Sequence, residues 1–484
     1  MGLFGKIRNT FIQRPVQQDS DNVWIDTLKR DLRLAFRTLR NAPVFSLMAI
    51  LSLTLGIGAN TVVFTVMKHV VLDSLPVPQP EQLVILHDKG IHRGWTFEGG
   101  MHSTFSYPQY QDLNAATSSI FSGLLGRFGV TATLATTERS EHIRCELVTG
   151  NYFDVLKVKP WRGRLLTSAD DKKPGGHPLA VLGYGFWQRS FGGDPNIVGR
   201  TMRLNSHPYV VVGVTPPGFY GINIGAPADV YVPMMMKAQI TPTWDGLADR
   251  DMFWCNLVAR LKPGIDLTHA QSALRVIYPP LLEQDLALRK IVSARSRKEF
   301  AKNTVGLTPG GKGYTGIRDQ LEEPLRFLLV MVAIVLLITV VNVANLLLAR
   351  ATAKQREMAI RLAVGAGRTA LVRQLLVESC TLAVIGGILG VLLAYIATPA
   401  LLHLLSANVS ETSINASPDS RILLFTAVLT LLSGIAFGLL PAWQSARTDV
   451  AGAIKTEASL GHTSRRLWLR RGLVAGQIAF SLVL

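Results

Sequence analysis

Charge is scarce in this chain: 17% of its 484 residues are Asp, Glu, Lys or Arg, where a soluble domain carries about a quarter. Cysteine is scarcer still. Three residues, Cys145, Cys255 and Cys380, exclude a disulfide-stapled scaffold. Cys380 falls at a helix boundary. Cys145 and Cys255 share the longest polar stretch, where buried unpaired thiols are favoured over a bridge that only matching geometry would permit. The ten histidines form no His-Glu-x-x-His run, and neither Gly-x-Ser-x-Gly nor Cys-x-x-Cys occurs. No zinc, serine-hydrolase or thiol-redox constellation is therefore present. The expectation is a protein that is not an enzyme, with no catalytic residue, no metal ligand and no cofactor of its own.

Three weaker patterns also read as structure. Gly306-Leu307-Thr308-Pro309-Gly310-Gly311-Lys312-Gly313 approaches a phosphate-binding loop but lacks the Ser or Thr after Lys312 that would bind magnesium, so it reads as a Gly-rich surface loop. Asp170-Asp171-Lys172-Lys173, beside Pro174-Gly175-Gly176, reads as a solvated turn. Trp95, Phe97, Trp187 and Trp254 could line a pocket, but aromatics in a domain of this size are usually core.

Acidic residues are in deficit, 33 against 50 Lys and Arg, for a net charge of +17. Nucleic acid would call for that excess on one folded face. Here it clusters: eight basic against four acidic residues in 1–43, six against two in 350–380, and six against two in 444–472. The long stretch 73–326 holds 28 against 23. Basic clusters flanking apolar runs follow the positive-inside rule, so the expected partner is a lipid bilayer and no nucleic acid is expected.

The apolar runs are long. Residues 44–72, 327–349, 382–405 and 422–443 each exceed the roughly 20 residues that cross a bilayer, and a fifth run begins at 473–484. No short apolar core with a small-residue cleavage site marks a signal peptide, so the first run reads as an uncleaved anchor. Residues 1–43, 350–381 and 444–472 are then cytoplasmic, while 73–326 and the short loop 406–421 lie outside. The segment 1–43 reads as amphipathic, with Ile25, Leu28, Leu32, Phe36 and Leu39 toward lipid and Lys29, Arg30, Arg33, Arg37 and Arg40 toward head groups. In 73–326, the stretches 83–86, 209–214 and 230–234 read as strands. Leu267, Ala270, Leu274 and Ile277 mark a helix that Pro279-Pro280 should stop. The fold expected is a membrane α-helical chain of four complete spans and a partial fifth. A large α+β extracytoplasmic domain is inserted between the first and second spans.

Polar and small residues within the spans are candidate packing sites. Asn342 and Asn345 share a helix face, and Gly386/Gly390 and Gly434/Gly438 are small-xxx-small pairs that let helices approach closely, as do Gly56 and Gly58. The loop between the second and third spans is the sharpest feature. Glu357 precedes Arg361 by four residues, Lys354, Arg361 and Arg368 fall near one face, and Met358, Leu362 and Ala363 form an adjacent apolar edge before Gly365-Ala366-Gly367 turns the chain. Such a helix suits docking into a groove on a cytoplasmic partner.

Four stretches together resemble the permeases of the MacB/FtsX family, the type VII ABC transporters. Residues 31–64 are similar to the lead-in helix and first span of the acidobacterial duplicated orphan permeases. Residues 182–219 resemble the MacB-type periplasmic core, 342–379 the FtsX-type permease segment, and 438–455 the exit from its fourth helix. The resemblance implies a bacterial inner-membrane permease of the mechanotransmission type, coupling a cytoplasmic ATPase subunit to the outer domain for export or efflux. Arg356, Glu357, Met358, Ile360, Arg361, Leu362, Gly365, Ala366 and Arg368 would form the coupling helix. It also implies a second permease unit, as a homodimer or a fused repeat, the run at 473–484 being the start of that repeat. The other reading is a transmembrane signalling scaffold that regulates an envelope enzyme without moving substrate.

Overall fold

The computed structural model describes residues 20–88, 104–135, 140–223, 227–289, 298, 300–314, 316–353, 360, 367–405 and 419–446. The chain divides into two compact units, one of Met1–Thr65, Phe327–Pro399 and Ser417–Leu484, the other of Val66–Arg326 and Ala400–Ala416. Most of the loop between the second and third spans, the outer loop up to 418, the linker from 447 and the run at 473–484 lie outside the described residues.

The first unit is helical: α1 (Ser20–Arg40), α2 (Pro43–Met67), and parts of three helices named at the end of the chain order. Among the described residues, four helices are long and apolar enough to cross a membrane, over Pro43–Met67, Leu321–Arg350, Thr369–Leu401 and Ser420–Leu439. The helices themselves outrun the apolar segments. That of the second span starts at Gly316, and that of the third at Arg368 rather than at 382. Hydropathy locates where a helix meets lipid, whereas backbone hydrogen bonding carries it on into water. In α1 the buried stripe is Asp31, Ala35 and Leu39, while Phe36 of the expected lipid-facing set is 57% exposed.

The second unit holds β1 (Leu83–Asp88), β2 (Thr104–Phe105), α3 (Tyr107–Ala116), β3 (Phe121–Ala135), β4 (Ser140–Val148), α4 (Tyr152–Leu156), β5 (Arg162–Gly163), β6 (Leu179–Leu182), α5 (Tyr184–Phe191), β7 (Thr201–Leu204), β8 (His207–Val214), β9 (Val230–Pro233), α6 (Lys237–Ile240), β10 (Cys255–Leu261), α7 (Leu267–Leu288) and β11 (Val305–Pro309). The chain continues into α8 (Gly316–Ala353), α9 (Arg368–Leu405) and α10 (Ser420–Ala446). The strands form one mixed sheet in the order β11-β1-β10-β3-β4-β9-β6-β8-β5, with β2 added on β10 and β7 on β3 and β8. Most pairs are antiparallel; β4 with β9 and β6 with β8 are parallel.

Both faces of the sheet are covered over β1 and β9, which is why those strands read as unbroken apolar runs. Along β1, Val84 and Leu86 enter the core beneath α3 and α7, and Leu83 and Ile85 enter the core beneath α4. The same alternation places Val230 and Val232 on one side and Tyr231 on the other. The free edge of β11 is blocked by a side chain. The Gln271 amide donates to the Val305 carbonyl at 2.8 Å and accepts from the Leu307 N–H at 2.7 Å, as a neighbouring strand would.

Two expectations are corrected here. α7 does not stop at Pro279-Pro280 but runs through both to Leu288. Each proline removes a donor, yet both are exposed, and so are Arg275 and Val276, whose carbonyls lose their partners on the solvent side. Burial of Tyr278, Leu282, Asp285 and Leu286 holds the next turns in register. The glycine run at 310–313 is not a surface loop either. Gly310 donates to the Leu83 carbonyl at 2.7 Å and Gly311 accepts from Leu75 N–H at 2.8 Å. A side chain at Gly311 would come within 2.6 Å of the Pro80 carbonyl oxygen, so these glycines allow two backbone segments to touch.

Candidate functional site in the membrane bundle

The first span lies at the centre of the helical unit. One face of α2, at Val44, Leu47, Met48, Leu51 and Leu55, is exposed for lipid; Leu53, Ile57 and Ala49 are fully buried. The buried side meets all three other spans. Against α8, the Asn60 amide donates to the Val332 carbonyl at 2.8 Å, and also to its own Gly56 carbonyl at 2.9 Å. Against α9, a Cβ at Gly58 would sit 2.9 Å from Leu393, and one at Gly386 would sit 2.7 Å from Leu53. Against α10, the Thr61 and Thr426 hydroxyls meet at 3.1 Å, and the Phe64 and Phe425 rings stack with centroids 4.0 Å apart. Small residues and amide or hydroxyl contacts are what hold helices together in lipid, which supplies no hydrophobic drive of its own.

At the other end of the bundle, the two stems of the loop between the second and third spans are joined. Arg350 Nη1 of α8 pairs with Glu378 Oε1 of α9 at 3.1 Å, and Arg350 Nη2 donates to the Thr38 carbonyl of α1 at 2.7 Å. Arg373 Nε of α9 pairs with Asp31 Oδ2 of α1 at 2.7 Å.

Comparison with known proteins supplies the assignment. The family described as MacB-like periplasmic core domain matches residues 46–277, and that described as FtsX-like permease C-terminal matches residues 329–450. The chain belongs to the MacB/FtsX family of ABC-transporter permeases. MacB of Salmonella typhi, a macrolide export ATP-binding/permease protein, is 24% identical over 351 residues, 71% of this chain and 47% of that protein. PvdT of Pseudomonas syringae pv. tomato, a pyoverdine export ATP-binding/permease protein, is 25% identical over 303 residues, 61% of this chain and 40% of that protein. The chain spans about half the length of the curated relatives it matches. Among solved structures, the periplasmic region of MacB from Actinobacillus actinomycetemcomitans aligns with a TM-score of 0.34 at 14% identity, over 52% of this chain and 94% of that one. One matched segment is a periplasmic core domain and the other a permease segment. With the four apolar helices, they make this an inner-membrane protein whose large domain is extracytoplasmic.

The family's permease segment contains most of the residues singled out by sequence. Gly56 faces Leu336 and Thr339, Gly390 faces Gly58, Gly434 faces Ala383, and Gly438 faces Ser379. Asn342 and Asn345 do not bridge helices among the described residues: both are half-buried, and Asn345 Oδ1 is buried without a hydrogen-bond partner there. Of the expected coupling helix, Arg356, Glu357, Met358, Arg361, Leu362, Gly365 and Ala366 lie outside the described residues. Ile360 is exposed, and Arg368 opens α9. Sequence reading missed Asn60, Thr61, Asp31, Arg350, Arg373 and Glu378. Asn60 left a signal, an amide in the middle of an apolar run; the charged residues left none, because Asp31 and Arg373 are 342 positions apart.

The outer domain offers buried polar clusters, each internally matched. Arg127 and Glu146 are both buried and meet at 2.6 Å, with Tyr152 OH donating to the same carboxylate at 3.3 Å. Asp285 accepts from Arg250 at 2.7 Å and from Arg289 at 2.8 Å, and Arg250 also holds Asp112. Asp170 and Asp171 are no solvated turn. Asp170 pairs with Arg164 at 2.6 Å, while Asp171 accepts from Gly150 N–H at 3.0 Å and Met235 N–H at 2.7 Å. Burial pushes the Asp171 carboxyl up to about 7, and Asp88, beside Tyr278, likewise to about 7. Burial pushes the Lys237 ammonium down to about 7, while it lies 3.1 Å from the Trp244 ring centroid with Trp254 and Phe128 around it. Cys145 and Cys255 are free and buried; burial pushes the Cys255 thiol up to about 12 and that of Cys145 higher, so neither is a thiolate. Trp187 and Trp254 are core residues, 3% and 1% exposed; Trp95 and Phe97 lie outside the described residues. Among the described residues no group of His, Cys, Asp and Glu could hold a metal ion. These clusters pin loops to the sheet, whereas the Tyr209 and Tyr231 hydroxyls and His177 Nδ1 are buried without a hydrogen-bond partner among the described residues.

Proposed function

We propose that the chain is the permease subunit of an ABC exporter in which a separate cytoplasmic ATPase hydrolyses ATP and the spans relay its force to the outer domain. The observation that carries this reading is the position of α2. It contacts each of the other three spans and leads directly into the outer domain, so a rearrangement of the bundle has a covalent route outward through it, beside the one through α8. The curated relatives are export ATP-binding/permease proteins, which supports export as the outcome and an ATPase as the partner. On this reading the N-terminus and the loop around Arg356–Arg368 are cytoplasmic, that loop docks the ATPase, and a second permease unit completes the assembly. The outer domain's matched polar clusters fit a body that changes position as a whole rather than one that performs chemistry.

The test is co-purification from membranes. The parent chain should bring down an ATP-binding subunit, and Met358→Asp with Arg361→Glu should lose it while still inserting in the membrane. Recovery of no ATPase by the parent chain, or equal recovery by the variant, would leave the signalling-scaffold reading in its place.

A further inference from the structure

The N-terminal helix is fastened to both sides of the loop that the proposed function gives to the ATPase. On one side Arg350, in the last turn of α8, reaches the Thr38 carbonyl at 2.7 Å and stacks over the Phe45 ring at 5.0 Å. On the other side Arg373, early in α9, holds Asp31 at 2.7 Å. The Arg350–Glu378 pair at 3.1 Å joins the two stems to each other. These are not loose surface contacts. The side chains of Asp31, Glu378 and Arg350 are 5%, 10% and 15% exposed. The outer arm at Arg373 is 47% exposed, so water screens part of its attraction to Asp31.

Packing follows the same line. Leu39 is buried in one cluster with Val343, Ala344 and Leu347 of α8 and Leu382 of α9. Two residues separate α1 from α2, and that elbow is pinned: Ser46 Oγ donates to the Leu39 carbonyl at 2.9 Å, and Ser46 N–H donates to the Ala42 carbonyl at 3.0 Å. α1 is therefore tied at its middle to α9, near its end to α8, and across a short elbow to the central span.

We propose that α1 is a lever clamped to both loop stems, with Arg350 and Arg373 as positioning residues, so that displacement of the loop is delivered to the start of α2. This rests on the reading of the loop as the site of force input, and it names a residue path that the loop alone does not supply. Without the clamp, a push on the loop enters the bundle through α8 and α9 and reaches α2 only through their packing. With it, α1 must follow the stems or break two charge-assisted hydrogen bonds in a partly desolvated site.

The experiment drives the loop without any ATPase. The full chain in lipid nanodiscs, its three cysteines replaced by alanine, carries a photoswitchable azobenzene cross-linker between Lys354→Cys and Arg361→Cys. Spin labels are introduced orthogonally at two pairs of exposed positions, Arg33 with Thr369 and Met48 with Ile388. In the parent, illumination should leave the 33–369 distance unchanged and shift the 48–388 distance beyond its distribution width. In Asp31→Asn with Arg350→Gln the pattern should invert: 33–369 changes and 48–388 stays. The charge-swapped Asp31→Arg with Arg373→Asp should restore a fixed 33–369 distance, which guards against a variant that has merely misfolded. Identical responses in parent and clamp variant, or no 48–388 shift in the parent, would overturn the proposal. A failed ATPase co-purification would leave these distances untouched, so the two readings fail separately.

Discussion

In the outer domain Arg127 and Glu146 are buried together at 2.6 Å, and Asp285 is shared by two arginines. In the span bundle the side chains that bridge helices are an amide, Asn60, and two hydroxyls, Thr61 and Thr426; its described interhelical ion pairs sit at Arg350 and Arg373, at the ends of the apolar segments. The solvent explains the difference. Water drives apolar burial in the domain strongly enough to carry buried charges along, provided each has a partner. Lipid exerts no such drive between helices, so the bundle relies on close approach at Gly58, Gly386 and Gly390 and on neutral hydrogen bonds.

The largest expected effect separates the two regions by pH. Asp88 and Asp171 have folded values near 7 against 3.8 for the free side chain. In that window the folded state holds protons that the unfolded chain has lost, so stability is full below about pH 4 and falls as pH rises through 7. At roughly 1.4 kcal/mol per unit the two groups together are worth several kcal/mol. Lys237, near 7 against 10.5, acts with the opposite sign above pH 7, and the aromatic rings around its ammonium oppose that shift. Hydrogen exchange of the full chain in nanodiscs should show protection of β1 and β4 declining from pH 4 to 7 after correction for intrinsic rates, with the spans unchanged. Asp88→Asn with Asp171→Asn should remove the decline. A decline of equal size in that variant would sink the assignment.

Next comes the buried pair. Glu146→Ala strands the Arg127 charge in the sheet and should cost about 3–5 kcal/mol, whereas Arg127→Met with Glu146→Leu should recover most of it. Urea titration of the full chain, followed by tryptophan fluorescence, measures both. A single-variant loss below about 1 kcal/mol would mean that water reaches the pair, and the contrast with the bundle would collapse.

Glycine sharpens the contrast from the other side. Gly386→Leu would drive a side chain into Leu53, 2.7 Å from the first added atom, and should cost about 1–3 kcal/mol, read as a lower thermal aggregation midpoint in detergent. Gly185→Leu in the domain meets nothing within 4 Å and should leave that midpoint in place. Equal tolerance at both positions would show that the spans are not packed at van der Waals contact.

The legibility of this chain follows the same division. The spans could be read because lipid demands about 20 apolar residues in a row, and the strands at 83–86 and 230–234 because a sheet buried on both faces leaves unbroken apolar runs. The α7 prolines misled because their cost depends on which side of the helix loses its donors, and that is a property of tertiary packing. Asp171 misled for a related reason: the groups it accepts from, at Gly150 and Met235, are remote in sequence, while Asp170 is held by its near neighbours Arg164 and Thr167. Within the candidate site, small-residue spacing pointed to the glycine contacts. The asparagines marked as packing candidates were Asn342 and Asn345, while the amide that bridges helices among the described residues is Asn60.

That amide provides the smallest and most discriminating test. Asn60 is 3% exposed and spends both of its donors on carbonyls, one in its own helix and one in α8. Replacing it with leucine keeps the volume roughly constant and removes one interhelical hydrogen bond, at an expected cost of about 0.6–2 kcal/mol. Asn345→Leu removes an amide whose oxygen has no partner among the described residues, and should be neutral or slightly stabilising. Steric trapping of the bundle in bicelles resolves differences of this size. If Asn345→Leu destabilised more than Asn60→Leu, the central placement of the first span would have to be redrawn, with α8 rather than α2 holding the polar seam.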